Sequence, residues 1–333
     1  MWRLTSASLR EQSSLRVKAR PFSQKKRFQH AIAVQLDYYM SPQFAGIASS
    51  LVNGTYTSKG LTNLNFLPIC PVGLEQERVR LHQNANPTSV SIGTVEQNIF
   101  IPCLRRNPQL KTTAVAAMFA TSPLCIASLP KKNEDSGSFI GTHHDTVDLM
   151  RKVFPDREVV ASPRSTKTSD LLTGKVDAIQ AYTTTEVLTL RHILGHEPEV
   201  VKMEGYNGTK LGYSQLMFVA DESLQCNDRK EISRVFCEAT FEGWANVIEK
   251  PEEAVEMVKE AKKMLNLDDE ANDHWHDSDE FELEMVRKCS EYVKDTYTGE
   301  KYGVIDQDRW NEANEWLLND STSDFGLETS VWK

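Results

Sequence analysis

Strand-like and helix-like stretches alternate along this chain, and the alternation starts afresh once before giving way to helices alone. Residues 31–36 read as a strand. Ser41-Pro42 then supplies an N-cap and a first-turn proline for a helix to 52, closed by Asn53-Gly54. An apolar stretch at 64–69, a helix at 74–83, a short strand at 89–92 and a helix at 97–106 follow. Such alternation predicts a largely parallel sheet with helices on its faces. After a polar loop at 131–137 the pattern restarts: strand at Phe139, helix 145–153, strand 158–160, helix 169–173, strand 177–181. A strand at 216–220 is followed only by helices, at 230–248, 252–265, 280–297 and 308–318. One lobe interrupted by another crosses between lobes twice, and two crossings make a hinge with a cleft. The expected division is 31–125 with 221–333 for the first lobe and 126–220 for the second. Ligands of such sheets bind at the strand ends that face the cleft.

Charge narrows the function classes. In the first thirty residues Arg3, Arg10, Arg16, Lys18, Arg20, Lys25, Lys26 and Arg27 face Glu11 alone, with Ser and Leu between them. That composition predicts a mitochondrial-type transit peptide over 1–30 and a destination in the mitochondrial matrix; a secretory signal needs a continuous apolar core, which is missing here. The chain as a whole carries a net charge of -9, so the body behind this segment is more acidic still. An acidic body lacks the clustered Lys and Arg that phosphate backbones require, which argues against nucleic acid as a partner. The apolar run at 114–129 is broken by Thr121, Ser122 and Pro123, so no membrane span is expected. Cys70, Cys103, Cys125, Cys226, Cys237 and Cys289 are widely spaced, without a Cys-x-x-Cys pair, and read as reduced thiols, mostly in the core.

Several pieces, in order, resemble the thiamine-pyrimidine-synthase/SsuA-like family of solute-binding proteins. They are Leu36-Asp37-Tyr38-Tyr39 before the Pro42 helix, Ser91-Ile92-Gly93-Thr94 at a strand end, Phe139-Ile140-Gly141, Leu172-Thr173-Gly174-Lys175-Val176-Asp177-Ala178 before Ala181-Tyr182, and Glu242-Gly243-Trp244 to Lys250-Pro251-Glu252-Glu253-Ala254. The resemblance implies an α/β, two-lobed periplasmic-binding-protein-like (type II) fold with a helical C-terminal tail and capture of a flat heterocycle between lobes. It implies ligand contacts from Asp37, Tyr38, Tyr39, Thr94, Tyr182 and Glu186, with Tyr38 where relatives carry tryptophan. An aromatic face still stacks, and a carboxylate accepts hydrogen bonds from an exocyclic amine. The alternative for Tyr182 is lobe packing, and for Glu186 the start of a solvated helix. Thr142 and His143, between a strand and a helix start, either hold an anionic tail such as phosphate or serve as capping and exposed residues.

The departures bear on catalysis. The family's fungal synthase uses a lysine that carries pyridoxal phosphate, a sacrificial histidine and an iron-binding cysteine run. Here the stretch from Gly93 to Ile99 holds neither Lys nor His, and that from Gly212 to Phe218 holds no Cys. Without a Schiff-base amine the cofactor has no covalent anchor, so no catalytic residue, cofactor or metal is assigned. Asp273-His274-Trp275-His276-Asp277-Ser278-Asp279-Glu280 mixes metal-ligating side chains, but acids ahead of Phe281 also suit a helix N-terminus. Trp310, Trp316 and Trp332 are expected to pack against the first lobe. The leading expectation is a binding protein for a small heteroaromatic ligand, a thiamine-pathway aminopyrimidine or its phosphate. A pyrimidine-synthesising enzyme with an altered site, and a ligand-free subunit of a mitochondrial complex that uses the acidic helical tail as a protein-partner surface, are the alternatives.

Overall fold

A computed structural model describes residues 28, 30–130, 139–163, 165–266, 278–320 and 325–332. The expected transit segment therefore lies, but for its last residues, outside the described residues, as do Asp273 to Asp277 of the Asp273–Glu280 cluster. The first lobe opens with β1 (Ile32–Gln35), a 3-10 turn at Pro42–Phe44, α1 (Ala45–Val52), α2 (Thr55–Ser58), β2 (Leu64–Phe66), α3 (Glu75–Ala85), β3 (Val90–Val95), α4 (Gln97–Arg106) and β4 (Thr112–Phe119). The second comprises β5 (Leu124–Ser128), β6 (Phe139–Thr142), α5 (Val147–Val153), β7 (Glu158–Ala161), α6 (Lys167–Leu172), β8 (Ala178–Tyr182), α7 (Glu186–Leu194) and β9 (Glu199–Lys202). The chain returns through β10 (Ser214–Ala220) to α8 (Asp221–Leu224), α9 (Asn227–Glu249), α10 (Pro251–Met264), α11 (Asp279–Lys294) and α12 (Gln307–Leu318).

Two five-stranded sheets result, in the orders β2-β1-β3-β10-β4 and β7-β6-β8-β5-β9. Neither is as parallel as the alternation predicts. The β1–β2, β1–β3, β6–β7 and β6–β8 pairs are parallel, whereas β10 runs antiparallel to β3 and β4, and β5 antiparallel to β8 and β9. The antiparallel strands are those that adjoin the crossings: a strand entering a sheet from the other lobe has no helix-length connection to turn it parallel. The expected second lobe of 126–220 also changes, because the 214–220 strand lies hydrogen-bonded between β3 and β4 of the first sheet while Leu124 already pairs with Tyr182 in the second.

The core follows from the apolar runs. Strands β3, β4 and β10 are buried along nearly their whole length, as expected for strands covered on both faces. Helices α1 and α9 cross the first sheet in close approach: a Cβ on Gly243 would lie 2.0 Å from the Gly46 carbonyl oxygen, so only glycine fits. The next residue, Trp244, is fully buried beside Phe119, and burying a side chain of this size stabilises by roughly 2–3 kcal/mol. Ser278 caps α11 by accepting from the Phe281 N–H, and Asp279 and Glu280 sit in the favourable first turn. All six cysteines are free thiols, with Cys70, Cys125, Cys237 and Cys289 buried.

The C-terminal helices complete the first-lobe core, and α11 and α12 also join it to the second lobe. Trp310 and Trp332 pack into first-lobe clusters, but Trp316 packs against the second-lobe core around Phe154, with the Lys152 ammonium 4.2 Å over its ring. The expected packing of Trp316 on the first lobe is corrected accordingly, because the other face of α12 meets α5. Helix α11 reaches the second lobe through Phe281 and Met285 on Leu188, through Arg191 and Glu284, and through Thr183 Oγ1 and Tyr292 OH at 2.6 Å. Among the described residues no helix is long and apolar enough to cross a membrane.

Candidate functional site

Strand ends from both sheets meet at one cleft. Two adjoining cavities of about 640 and 160 Å³ share Asp37, Tyr38, Tyr39, Val72 and His143 in their walls. The second is deeper and is also lined by Glu96, Gln180, Tyr182, Glu186 and Gln215, with Phe281 and Met285 of α11 closing one side.

On the first-lobe wall, the turn after β1 presents Asp37 between the strand end and the two tyrosines, whose rings meet edge to face at 4.9 Å. Thr94, at the end of β3, donates to Asp37 Oδ1 at 2.5 Å and accepts from the Asp37 N–H at 3.0 Å. Gln215 donates to the other carboxylate oxygen at 3.3 Å. Beyond β3, the Glu96 carboxylate is buried and takes hydrogen bonds from Ser214 (2.7 Å), Asn98 (3.3 Å), Tyr182 OH (3.3 Å) and Ser122 (3.4 Å), all neutral donors. Burial dominates there and the nearby Asp37 charge reinforces it, so the carboxyl is pushed up to about 7 despite those hydroxyl bonds.

The second-lobe wall is organised differently. Lys167, in α6, is 1% exposed and donates to Glu186 Oε1 at 2.7 Å and to His143 Nε2 at 3.0 Å. Because an ammonium can only donate, Nε2 is the acceptor and a neutral His143 carries its proton on Nδ1. Glu186 Oε2 accepts from the Tyr182 N–H (2.9 Å) and Thr185 Oγ1 (2.6 Å). Burial alone would raise the Glu186 carboxyl, but the Lys167 charge and these donors hold it well below the usual range. Glu186 therefore lines the cleft with its oxygens committed inside its own lobe. Gln180, the lone polar side chain pointing inward in the middle of β8, accepts from Thr142 (2.9 Å), Thr146 (3.0 Å) and the His143 N–H (3.4 Å).

Of the residues expected from sequence, Asp37, Tyr38, Tyr39, His143, Tyr182 and Glu186 line the cavities. Thr94 and Thr142 do not. Both are buried behind the wall, where their hydroxyls orient Asp37 and Gln180, so the expected ligand contact from each is corrected to a supporting hydrogen bond. Sequence reasoning missed Glu96, Lys167, Gln180 and Gln215. The signal for three of them is a polar residue amid apolar neighbours at a strand or its end, as in Ala178-Ile179-Gln180-Ala181. Lys167 carries no such mark, because its partners come from distant segments. Among the described residues no cluster of three or more His, Cys, Asp or Glu is placed to hold a metal.

Residues 154–254 match the family described as NMT1/THI5 like. A search of curated proteins finds no match. Among solved structures, the ligand-binding component of an ABC-type import system from Staphylococcus aureus, crystallised with zinc, superposes with a TM-score of 0.57 at 10% identity, covering 91% of this chain and 98% of its own. The periplasmic aliphatic sulphonate-binding protein SsuA of Escherichia coli gives 0.55 at 8% identity, with 91% and 92% covered. The periplasmic nitrate-binding protein NrtA of Synechocystis PCC 6803 gives 0.53 at 10% identity, with 87% and 80% covered. At these identities the likeness establishes the fold. The chain thus carries the two-lobed fold of the SsuA/THI5-like solute-binding proteins and resembles that family in sequence over residues 154–254.

Proposed function

We propose that the protein captures a small amino-substituted heteroaromatic molecule in the cleft between its lobes, an unphosphorylated aminopyrimidine of the thiamine type being the first candidate, and that it does so in the mitochondrial matrix. The observation that carries this reading is the first-lobe wall: the Asp37 carboxylate, set by Thr94 and Gln215, lies beside the Tyr38 and Tyr39 rings and near Glu96. Rings favour a flat partner, and carboxyl groups favour an amine or a ring N–H. The names of two structural neighbours specify sulphonate and nitrate, but such anions meet carboxyl groups here, and the nearby Lys167 ammonium is already taken by Glu186. Closure of the lobes around the ligand is the conformational step that this architecture permits.

The test is a thermal-shift series on the full chain with aminopyrimidines, their phosphates, thiamine, ethanesulfonate, nitrate and pyridoxal phosphate. A ligand at 100 times its dissociation constant adds about 2.7 kcal/mol to stability. A selective rise with an aminopyrimidine is expected. A rise with ethanesulfonate or nitrate alone would overturn the reading, a rise with pyridoxal phosphate alone would favour the altered enzyme, and no rise at all would favour the ligand-free subunit.

A further inference from the structure

Two glutamines, one in each lobe, open on the same cavity with one amide atom used and the other lacking a protein partner. Gln180 is fully buried, and its Oε1 accepts from two threonine hydroxyls and from the His143 N–H. A backbone N–H can only donate, so the oxygen must face it and the unpartnered Nε2 donor must face away. Gln215, 4% exposed, donates through Nε2 to Asp37 Oδ2. A carboxylate only accepts, so the amide nitrogen must face it, leaving Oε1 as a buried acceptor without a partner. Each orientation is thus set by a neighbour of fixed hydrogen-bonding character.

Backbone conformation singles out Gln215 a second time. Its φ of 50° lies in the left-handed region, unusual for a residue other than glycine and more so within a strand. The residues that follow it, Leu216 to Ala220, are an apolar run between β3 and β4, where a relaxed residue would serve packing equally well. Strain of this kind persists where the surrounding structure holds a side chain in a required place, and here the side chain is carried to Asp37 and the cavity. Leaving a buried amide group without a partner is also costly, by an amount comparable to a lost hydrogen bond.

Resting on the reading of the cleft as a heteroaromatic-amine site, we infer that Gln180 and Gln215 are the residues that select the ligand, Gln180 donating to a ring-nitrogen acceptor and Gln215 accepting from an exocyclic amine. The ligand then ties one lobe to the other through its own donor and acceptor, so an uncharged molecule can be bound selectively without a salt bridge. A site built to hydrogen-bond a given group rejects the analogue that lacks it far more strongly than an apolar pocket does. The class selected is an amidine-like edge, a ring nitrogen beside an amino group, as in a 4-aminopyrimidine.

The experiment is isothermal titration of the full chain with 4-amino-2-methylpyrimidine and with 2-methylpyrimidine, in the wild-type protein, Gln215→Met and Gln180→Met. The wild-type protein should prefer the amine by at least about tenfold. Gln215→Met should abolish that preference, with the loss falling mainly on the amine, whereas Gln180→Met should weaken both probes by about tenfold, because both carry the ring nitrogen. If the wild-type protein binds both heterocycles and neither substitution changes the affinities, the glutamine pair is wrong while the function reading stands. Should the wild-type protein bind neither probe, both fall. Where the methionine variants fail to fold, the wild-type comparison decides, since equal affinity for the two probes rules out a role for the Gln215 acceptor.

Discussion

Glu96 from the first lobe and Glu186 from the second line one cavity and are joined through Tyr182, whose hydroxyl donates to Glu96 at 3.3 Å and whose backbone N–H donates to Glu186 at 2.9 Å. They differ in what else surrounds them. Glu186 has a buried lysine at 2.7 Å, while Glu96 has hydroxyls, an amide and the like charge of Asp37. One carboxyl is therefore held down and the other pushed up to about 7, and near neutral pH the first-lobe wall can offer a proton that the second cannot. The lobes thus divide the work. The second lobe neutralises Glu186 internally and presents a fixed surface, whereas the first holds Glu96 among neutral donors and beside Asp37, ready to respond to a ligand.

Removing Lys167 tests this division most severely. In Lys167→Met the Glu186 carboxylate keeps its place in the second-lobe wall but loses its counter-charge, and breaking such a pair costs about 3–5 kcal/mol, with the lower end expected because Glu186 is 22% exposed. Urea denaturation at pH 7 reads the loss directly. Lowering the pH toward 4 should recover part of it, since the unpaired carboxyl then protonates readily. A variant as stable as the wild type would mean that the pair is not what fixes that wall.

Glu96 makes the opposite prediction. Its folded carboxyl titrates above the unfolded value of 4.5, so between about pH 4.5 and 7 the folded state holds a proton that the unfolded state has lost, and stability falls as pH rises. Glu96→Gln keeps the shape and removes the titration. The difference between wild-type and variant stability should therefore shift by roughly 2–3 kcal/mol across that window, in favour of the variant at the higher pH. Glu186 contributes with the reverse sign: its stabilisation is complete above its unfolded value of 4.5 and is lost progressively as pH falls from there to about 2. Parallel curves for wild-type and Glu96→Gln proteins from pH 4.5 to 7 would show that the two glutamates do not differ as described.

The sequence discloses the frame of this arrangement better than its chemistry. Alternation of apolar runs with helical stretches places β1, β3, α4, β8 and β10 within a few residues of where they lie, because period and capping residues are local properties. Strand β9 and the β4–β5 passage are not assigned as strands: β9 is an exposed edge strand of four residues, Glu199–Lys202, with little apolar signal, and the passage is an apolar run, broken at Thr121, Ser122 and Pro123, without the alternation that marks a half-buried strand. Within the site, Asp37 and the tyrosines are legible because they directly follow a strand. The Lys167–Glu186–His143 group is not, since nineteen residues separate Lys167 from Glu186 and twenty-four separate it from His143, and only the fold brings them together. Trp316 shows the same limit, since apolar spacing marks it as buried without saying in which lobe.

Tyr182 supplies the smallest and most discriminating test, because one residue touches both glutamates through different atoms. Tyr182→Phe removes the hydroxyl bond to Glu96 Oε2 while preserving the ring and the N–H that Glu186 accepts. A hydroxyl donor favours the ionised carboxylate, so its loss should move the Glu96 titration upward and leave Glu186 where it is. The expected cost is about 1 kcal/mol at pH 8, where Glu96 is largely ionised, and less at pH 5, where it is protonated and depends less on the donor. Difference spectra of the two proteins under carbon-13 NMR with labelled glutamate separate the carboxyls. If both resonances shift together, the walls are electrostatically one unit and the division between lobes fails; if only Glu96 moves, the lobes keep separate accounts of charge across a shared tyrosine.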